Sequence, residues 1–130
     1  MEKTNRITPD CITSLGECEI FVFGSNLEGL HGGGAAYLAY RRFGAIMGQG
    51  DGLQGRSYGI PTMHGGPDAI VPYVNRFINF AASHPEYRFL VTKIGCGIAG
   101  FSPKDIAPLF ERAVDVENIS LPREFWDLLT

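Results

Sequence analysis

The chain alternates between short apolar runs and stretches with helical periodicity. Apolar runs of strand length occur at Glu19 to Phe23, Tyr58 to Pro61, Tyr87 to Ile94 and Glu117 to Leu121. Runs of this length that are bounded by turn residues are typical of buried strands. We therefore predict strands at these positions.

Two of the intervening segments carry apolar residues at helical spacing. Gly34 to Arg42 presents small and apolar side chains to one side and ends in two arginines that point to water. Asp68 to His84 has a longer apolar face, made of Ile70, Val74, Phe77, Ile78 and Ala81. Because apolar positions three and four residues apart share one face of a helix, both segments are predicted to be helices.

The last part of the chain predicts a helix with a break. Ser102 and Pro103 provide an N-cap and a proline at the first helical position, and this helix should reach about Val114. Pro108 lies inside it and removes a backbone hydrogen bond, so we expect a kink or an early end there. A short terminal helix is predicted from Glu124 to Leu129.

The order of these elements predicts the fold class. Strands that alternate with helices form α/β folds with a largely parallel sheet. No linker or repeat divides the 130 residues, so residues 1–130 are expected to form one domain. Ligands of parallel sheets bind beyond the carboxyl ends of the strands, so the loops that follow the strands are where a site is expected.

Two of those loops are crowded with glycine. Gly32, Gly33 and Gly34 can take positive φ and bring bare backbone against a ligand, and the N–H groups that open the next helix have no partner within it. An anion satisfies such groups. The second loop is Gly95-Cys96-Gly97-Ile98-Ala99-Gly100-Phe101. Two loops of phosphate size indicate a diphosphate ligand.

Composition and charge exclude several other classes. The apolar share of 45% and the charged share of 19% are ordinary for a globular protein, and the net charge of −3 argues against general nucleic-acid binding. The apolar runs are much shorter than the roughly 20 residues that span a bilayer, and Met1 to Asp10 lacks the apolar core of a signal peptide. Cys11, Cys18 and Cys96 do not have zinc-site spacing. We expect a cytoplasmic protein with reduced thiols, no membrane segment, no metal and no cofactor.

Two side chains near the first glycine loop are candidates for chemistry. Asn26, at the end of the first strand, either contacts the ligand or caps the turn through its side chain. Histidine changes charge near neutral pH, so His31 is a candidate acid, base or phosphate donor. The alternative is a loop histidine that points to water.

Three further residues have two interpretations each. Lys93, flanked by apolar strand residues, either extends to an edge or meets an acid or a ligand phosphate. Asp51 between two glycines is more simply a turn residue than a group that orients water. Cys96 is better interpreted as a small packing residue than as a nucleophile.

Three motifs, in the same order along the chain, resemble those of the macrodomain family, whose members bind ADP-ribose on a three-layer αβα fold. Val22-Phe23-Gly24-Ser25-Asn26 and the following Leu30-His31-Gly32-Gly33-Gly34 are similar to the family's V-N-A-A-N motif and its glycine run. Ile94 to Phe101 is similar to its second loop, I-S-T-G-I-Y-G-aromatic, and Tyr58-Gly59-Ile60-Pro61 to its Y-x-L-P strand. The resemblance extends from Asp10 to about Ala113, and the glycine-rich insert Gly44 to Gly55 has no counterpart in it. This pattern indicates a divergent, macrodomain-like family.

The resemblance implies a role for each matching position. Asn26 would hydrogen-bond the distal ribose and place a water in a hydrolase, with Ser25 as a further ligand contact. His31 stands where the family usually has a glycine, so it is a second catalytic candidate through its own chemistry and not through the resemblance. Asp10 would read the adenine amino group, and Phe101 would pack against the distal ribose. The diphosphate would lie against the backbone of Gly32, Gly33, Gly34 and Ala35 in the first loop and of Gly95, Cys96, Gly97, Ile98 and Ala99 in the second.

These implications give one expected function and one alternative. We expect a three-layer αβα, macrodomain-like protein with a mostly parallel sheet that binds ADP-ribose, free or attached to a macromolecule, or a related adenine nucleotide diphosphate. Hydrolysis of an ADP-ribosyl bond is a further activity that the resemblance allows. The alternative is a non-enzymatic reader of ADP-ribose or an interaction module without a ligand. One fold and one pair of loops serve all of these, so the sequence does not separate them.

Overall fold

The computed structural model describes residues 6–97 and 99–130 of the chain, so Ile98, a predicted diphosphate-binding residue, lies outside the described residues. The elements are β1 (Glu19–Ser25), α1 (Gly34–Arg42), β2 (Gly52–Gln54), β3 (Ser57–Pro61), α2 (Pro67–Ala82), β4 (Arg88–Val91), α3 (Pro103–Ile106), a 3-10 helix (Ala107–Asp115), β5 (Ile119–Ser120) and α4 (Arg123–Leu129). The strands form one five-stranded sheet in the order β2-β3-β1-β4-β5.

The sheet is mostly parallel, which confirms the predicted α/β class. β1 pairs in parallel with β3 and β4, and β4 pairs in parallel with β5. The edge strand β2 runs antiparallel to β3. It lies inside the glycine-rich insert, and the sequence analysis missed it because a strand of 3 residues shows no periodicity.

β1 is the middle strand of the sheet, and its two faces pack against different core clusters. Ile20 and Val22 belong to a core cluster shared with α2, the 3-10 helix and α4, whereas Phe21 and Phe23 belong to a second cluster shared with α1. Successive strand residues point to opposite faces. Helices therefore cover the sheet from both sides.

The predicted elements occur, some with shifted ends. α1 has the predicted bounds, and α2 ends at Ala82 rather than at His84. β4 ends at Val91 rather than at Ile94, because the chain turns there and the Ile94 N–H donates to the Thr92 carbonyl at 2.8 Å.

The predicted break at Pro108 is confirmed. α3 ends at Ile106, and the chain continues as a 3-10 helix in which Phe110 has non-helical torsions of φ −100° and ψ 15°. Ser102 is the N-cap of α3, as predicted, and its N–H donates to the Asp105 carboxylate at 3.0 Å.

The segment before β1 is attached to the last part of the chain. Arg6 is 5% exposed, and its guanidinium donates to the carbonyls of Ala113, Val114, Val116 and Ile119. The Trp126 indole N–H donates to the Arg6 carbonyl, and the Thr8 N–H donates to the Leu121 carbonyl, both at 2.9 Å. These bonds hold Thr8 beside the end of β5. No helix in the two described ranges is both long enough and apolar enough to cross a membrane.

Candidate functional site

A cavity of about 220 Å³ lies at the carboxyl ends of β1, β3 and β4, where a parallel sheet is expected to bind its ligand. It is lined by Gly24 and Ser25 at the end of β1, Asn26 and Leu30 after it, Gly33 to Ala36 at α1, Thr62 and Met63 after β3, and Thr92 to Gly95, Gly97 and Ala99 after β4. We call it the first cavity. The structure brings both glycine loops together with Ser25 and Asn26 around one space. Thr62, Met63 and Thr92 were missed, because no motif marks them.

The start of α1 makes the first cavity suitable for an anion. Gly33 is the N-cap, and none of the described side chains caps this end. The N–H groups of Gly34, Ala35 and Ala36 therefore have no partner within the helix and carry the positive end of its dipole. Of the predicted glycine run, only Gly34 takes positive φ, at 57°, while Gly33 is extended at φ −157°. The conformational freedom of glycine is thus needed at Gly34.

The second loop reaches the first cavity through its backbone. Gly95 has φ 74°, and the Phe101 N–H donates to its carbonyl at 2.8 Å, which closes the loop on itself. A Cβ atom on Gly95 would lie 3.1 Å from Cδ1 of Ile106, so the loop is tight against α3. Gly97 and Ala99 line the cavity as well.

Three of the ligand-binding residues that the resemblance implies do not line the first cavity. Gly32 is exposed outside it, and Cys96 and Phe101 are half-buried against the larger core cluster. Burial raises the pKa of Cys96, which disfavours a thiolate nucleophile and agrees with the packing role expected for it. Phe101 lies against Gly95, and its role toward the distal ribose stays a prediction.

The side chain of Asn26 caps the loop that follows β1. Its Oδ1 accepts from the Leu30 N–H at 2.9 Å, and its Nδ2 donates to the Leu30 carbonyl at 3.1 Å. The capping alternative therefore describes the structure, although Asn26 also lines the first cavity. One amide hydrogen of Nδ2 is left for a ligand.

His31 is in the interior, so the structure contradicts both sequence-based interpretations of it. Its ring is 0% exposed, stands edge-on to Phe23 at 5.3 Å, and is absent from the lining of the first cavity. Nε2 lies 3.1 Å from Oε1 of Gln54 and donates to it, because an amide oxygen only accepts. His31 is buried because the insert from Gly44 to Gly55 covers it. This contact could not be foreseen from the local sequence.

The insert from Gly44 to Gly55 supports the first loop. Gln54 is 2% exposed, and its Oε1 also accepts from the Ile46 N–H at 2.8 Å. The Gly48 N–H donates to the Gly29 carbonyl at 2.9 Å, and the Ser25 hydroxyl donates to the Gly50 carbonyl. A Cβ atom on Gly50 would overlap the carbonyl oxygen of Asn26. The glycine content of the insert is the one sequence signal for this close backbone packing.

A second cavity of about 240 Å³ lies beside the first and contains Asp10. Thr8, Pro9, Cys11, Ile12, Phe21, Leu38 and Pro122 line it, together with Ala35, Thr92 and Lys93, which line the first cavity as well. The two cavities are therefore neighbours that share a wall. Most of this second lining is apolar, with one carboxylate at Asp10.

Lys93 is the cation that lines both cavities. Its Nζ donates to Oε2 of Glu124 at 2.9 Å, and its side chain is 43% exposed. The hydrogen bond to Glu124 raises the pKa of Lys93, and the same bond lowers the pKa of Glu124. Lys93 thus both extends to an edge and meets an acid, so the two sequence-based alternatives hold together.

Asp51 lies outside both cavities. It precedes β2, as the turn interpretation predicts, and its carboxylate forms an ion pair with Arg76 of α2. Burial raises the pKa of Asp51, and the charge of Arg76 opposes this shift. The pair attaches the insert to α2.

Comparison of the chain with protein-family models, with curated proteins and with solved structures gave no match. The motif resemblance to macrodomains therefore stays a prediction. Among the residues that the structure describes, no group of three or more His, Cys, Asp or Glu side chains is placed to hold a metal ion.

Proposed function

We propose that the protein is a divergent macrodomain-like, three-layer αβα binder of ADP-ribose or of a closely related adenine nucleotide diphosphate. The observation that supports this is the adjacency of a backbone-lined cavity and a mostly apolar cavity, which share Ala35, Thr92 and Lys93. A nucleoside diphosphate likewise joins an anionic half to a flat, mostly apolar base. The two halves of the ligand match the two cavities.

The diphosphate occupies the first cavity in this proposal. The free N–H groups at the start of α1 and the backbone of the loop at Gly95 surround it from two sides. Lys93 adds one positive charge at the shared wall. Two backbone donor groups and one lysine suit a ligand with two phosphates better than a neutral nucleoside.

The adenosine half occupies the second cavity. Ile12, Phe21 and Leu38 provide apolar surface for the base, and Asp10 provides an acceptor for its amino group. The distal ribose lies at the opposite end of the first cavity, near Asn26. The ligand is ADP-ribose that is either free or attached to a macromolecule through that ribose.

The geometry favours binding over hydrolysis. The described lining of the first cavity contains one titratable side chain, Lys93, and the amide of Asn26 is already bonded to Leu30. Hydrolysis then depends on the remaining amide hydrogen of Asn26 to place a water. An assay of ADP-ribose release from a modified protein separates the two: turnover that falls in Asn26→Ala by more than affinity does identifies a hydrolase, and tight binding without turnover identifies a reader.

Calorimetry with ADP-ribose and with adenosine tests the proposal. We expect ADP-ribose to bind much more tightly, because adenosine has nothing for the two glycine loops to hold. Bound ADP-ribose should also raise the melting temperature. Equal affinities, or no binding of ADP-ribose, would contradict the proposed function.

Two neighbouring glycines provide a matched pair of variants. Gly33 lines the first cavity in an extended conformation that valine also adopts, so Gly33→Val should fill the anion position and abolish binding without backbone strain. Gly32 lies outside the lining, and a Cβ atom there meets nothing within 4 Å. Gly32→Val should therefore bind ADP-ribose nearly as well as the wild type. If the two variants bind equally, the first loop is only a turn.

A further inference from the structure

Thr8 contains a buried polar atom without a partner. The residue is 3% exposed, and its hydroxyl makes no hydrogen bond with the part of the chain that the structure describes. Its backbone is satisfied, since its N–H donates to the Leu121 carbonyl at 2.9 Å. An unpaired buried hydroxyl costs stability. A protein tolerates that cost where the group has a use.

Thr8 also lines the second cavity. Rotation of about 120° about χ1 moves its hydroxyl to the place of its methyl group or of its β-hydrogen. The hydroxyl can therefore turn to the cavity without breaking a hydrogen bond of the protein. Thr92, the other hydroxyl residue in the described part of this lining, already donates to the Val22 carbonyl at 2.7 Å. Thr8 is thus the hydroxyl that remains available to a ligand.

The chemistry of Thr8 and Asp10 together selects one kind of base. An ionised Asp10 only accepts hydrogen bonds, whereas a threonine hydroxyl can donate. Adenine presents an amino donor beside a ring-nitrogen acceptor, while guanine has a carbonyl acceptor in the place of that amino group. One acceptor and one donor on the protein match the adenine edge.

We propose that Thr8 is a specificity-determining residue of the second cavity, whose hydroxyl donates to a ring nitrogen of the adenine that Asp10 reads through its amino group. This inference rests on the proposed function, because it assigns the base of the same ligand. It adds a residue that lies before the region of motif resemblance.

Thr8→Val tests the inference, because valine has nearly the same shape and lacks the hydroxyl. Loss of one hydrogen bond should weaken ADP-ribose binding roughly 2- to 12-fold in calorimetry. The melting temperature of the free variant should stay equal or rise, because an unpaired buried hydroxyl is removed. A purely structural role for Thr8 would instead lower the melting temperature and leave affinity unchanged.

Two further variants control this result. Thr8→Ser keeps the hydroxyl and should restore most of the affinity. Thr13→Val removes an exposed hydroxyl outside both cavities and should bind like the wild type. Unchanged affinity of Thr8→Val, or equal losses in Thr8→Val and Thr8→Ser, would overturn the inference.

Deaza analogues identify the ring nitrogen. ADP-ribose made with 1-deaza- or 7-deaza-adenine lacks one acceptor each. One analogue should bind the wild type more weakly than ADP-ribose does, and Thr8→Val should not distinguish that analogue from ADP-ribose. If wild type and variant lose the same factor with both analogues, Thr8 does not contact the ring.

Adenosine separates this inference from the proposed function. At high concentration, adenosine should shift the NMR signals of Ile12, Phe21 and Leu38 in the wild type, and Thr8→Val should require more adenosine for the same shifts. These shifts in a protein that fails to bind ADP-ribose would contradict the proposed function and leave the base assignment supported. No shift in the second cavity would overturn the inference about Thr8.

Discussion

The two glycine loops meet at one cavity but are held in different ways. The loop between β1 and α1 is bonded to a distant segment: the Gly29 carbonyl accepts from Gly48, and His31 donates to Gln54. The loop after β4 is bonded mainly to itself, as in the Phe101 N–H to Gly95 carbonyl bond of 2.8 Å. The first loop depends on tertiary contacts, and the second depends on local turns.

This difference between the two loops explains the role of the insert. Gly44 to Gly55 has no counterpart in the macrodomain motifs, yet it covers His31 and packs backbone to backbone against Asn26. A loop that must present N–H groups to an anion benefits from a rigid support, since less ordering is needed when the ligand binds. The insert therefore acts as the support of the first loop.

Gly50→Ala should have the largest effect, because it separates the insert from the first loop. Its Cβ atom would overlap the Asn26 carbonyl oxygen, so backbone must move. We expect a loss of about 3 kcal/mol or more in the free energy of unfolding, together with the loss of ADP-ribose binding. Chemical denaturation and calorimetry measure both. Gly32→Ala is the control, since its Cβ atom would meet open space; equal stability losses would contradict the support role.

Gln54→Ala should have the next largest effect on the first loop. The Ile46 N–H and the His31 ring lose their common acceptor inside the protein. Unsatisfied buried groups should lower the free energy of unfolding by about 1–3 kcal/mol, and ADP-ribose affinity should fall as the loop loosens. Gln49→Ala is the matched control, because Gln49 also lies on the insert but its side chain donates to the carbonyls of Asp51 and Leu53 within the insert. If Gln49→Ala loses as much ADP-ribose affinity as Gln54→Ala does, Gln54 has no specific role in supporting the loop.

Gly95→Ala tests the second loop in the same way. Alanine at φ 74° is strained, and its Cβ atom would lie 3.1 Å from Ile106, so we expect a loss of about 1–2 kcal/mol in thermal or chemical unfolding. Gly97→Ala should cost much less, because Gly97 lies in the same loop without positive φ and with open space around it. If Gly97→Ala destabilises the protein as much as Gly95→Ala does, the backbone torsions of Gly95 do not hold this loop.

Glu124→Gln should have the smallest effect. The bond from Lys93 to Glu124 is partly exposed, so its removal should cost about 1 kcal/mol or less at neutral pH. Lys93 holds the pKa of Glu124 below its ordinary value of 4.5 in the folded protein. The pair therefore stabilises the fold above that pH, and its contribution is lost as the pH falls through the lowered pKa. Unfolding of wild type and variant should converge once the pH falls below the lowered pKa of Glu124, and in high salt; a constant difference at all pH values would contradict the pairing.

Much of the fold follows from local sequence patterns. The α/β class, the bounds of α1 and the break at Pro108 were predicted, because burial of a strand, amphipathicity of a helix and the ring of proline act on residues close in sequence. The meeting of the two glycine loops at one edge was also predicted, because parallel strands end on the same side of a sheet.

Only the tertiary structure decided how the side chains at the site are used. Periodicity carries no information about the partner of a residue that lies 23 or 25 positions away, as Gln54 does from His31 and Gly50 from Ser25. For that reason the interior position of His31 was not predicted, nor was the space that Thr8 shares with Asp10 beside the end of β5. The sequence by itself determined the α/β class and the meeting of the two glycine loops at one edge of the sheet, because both follow from local patterns and from the direction of parallel strands. The burial and pairing of polar side chains were decided by contacts that exist only once the chain has folded.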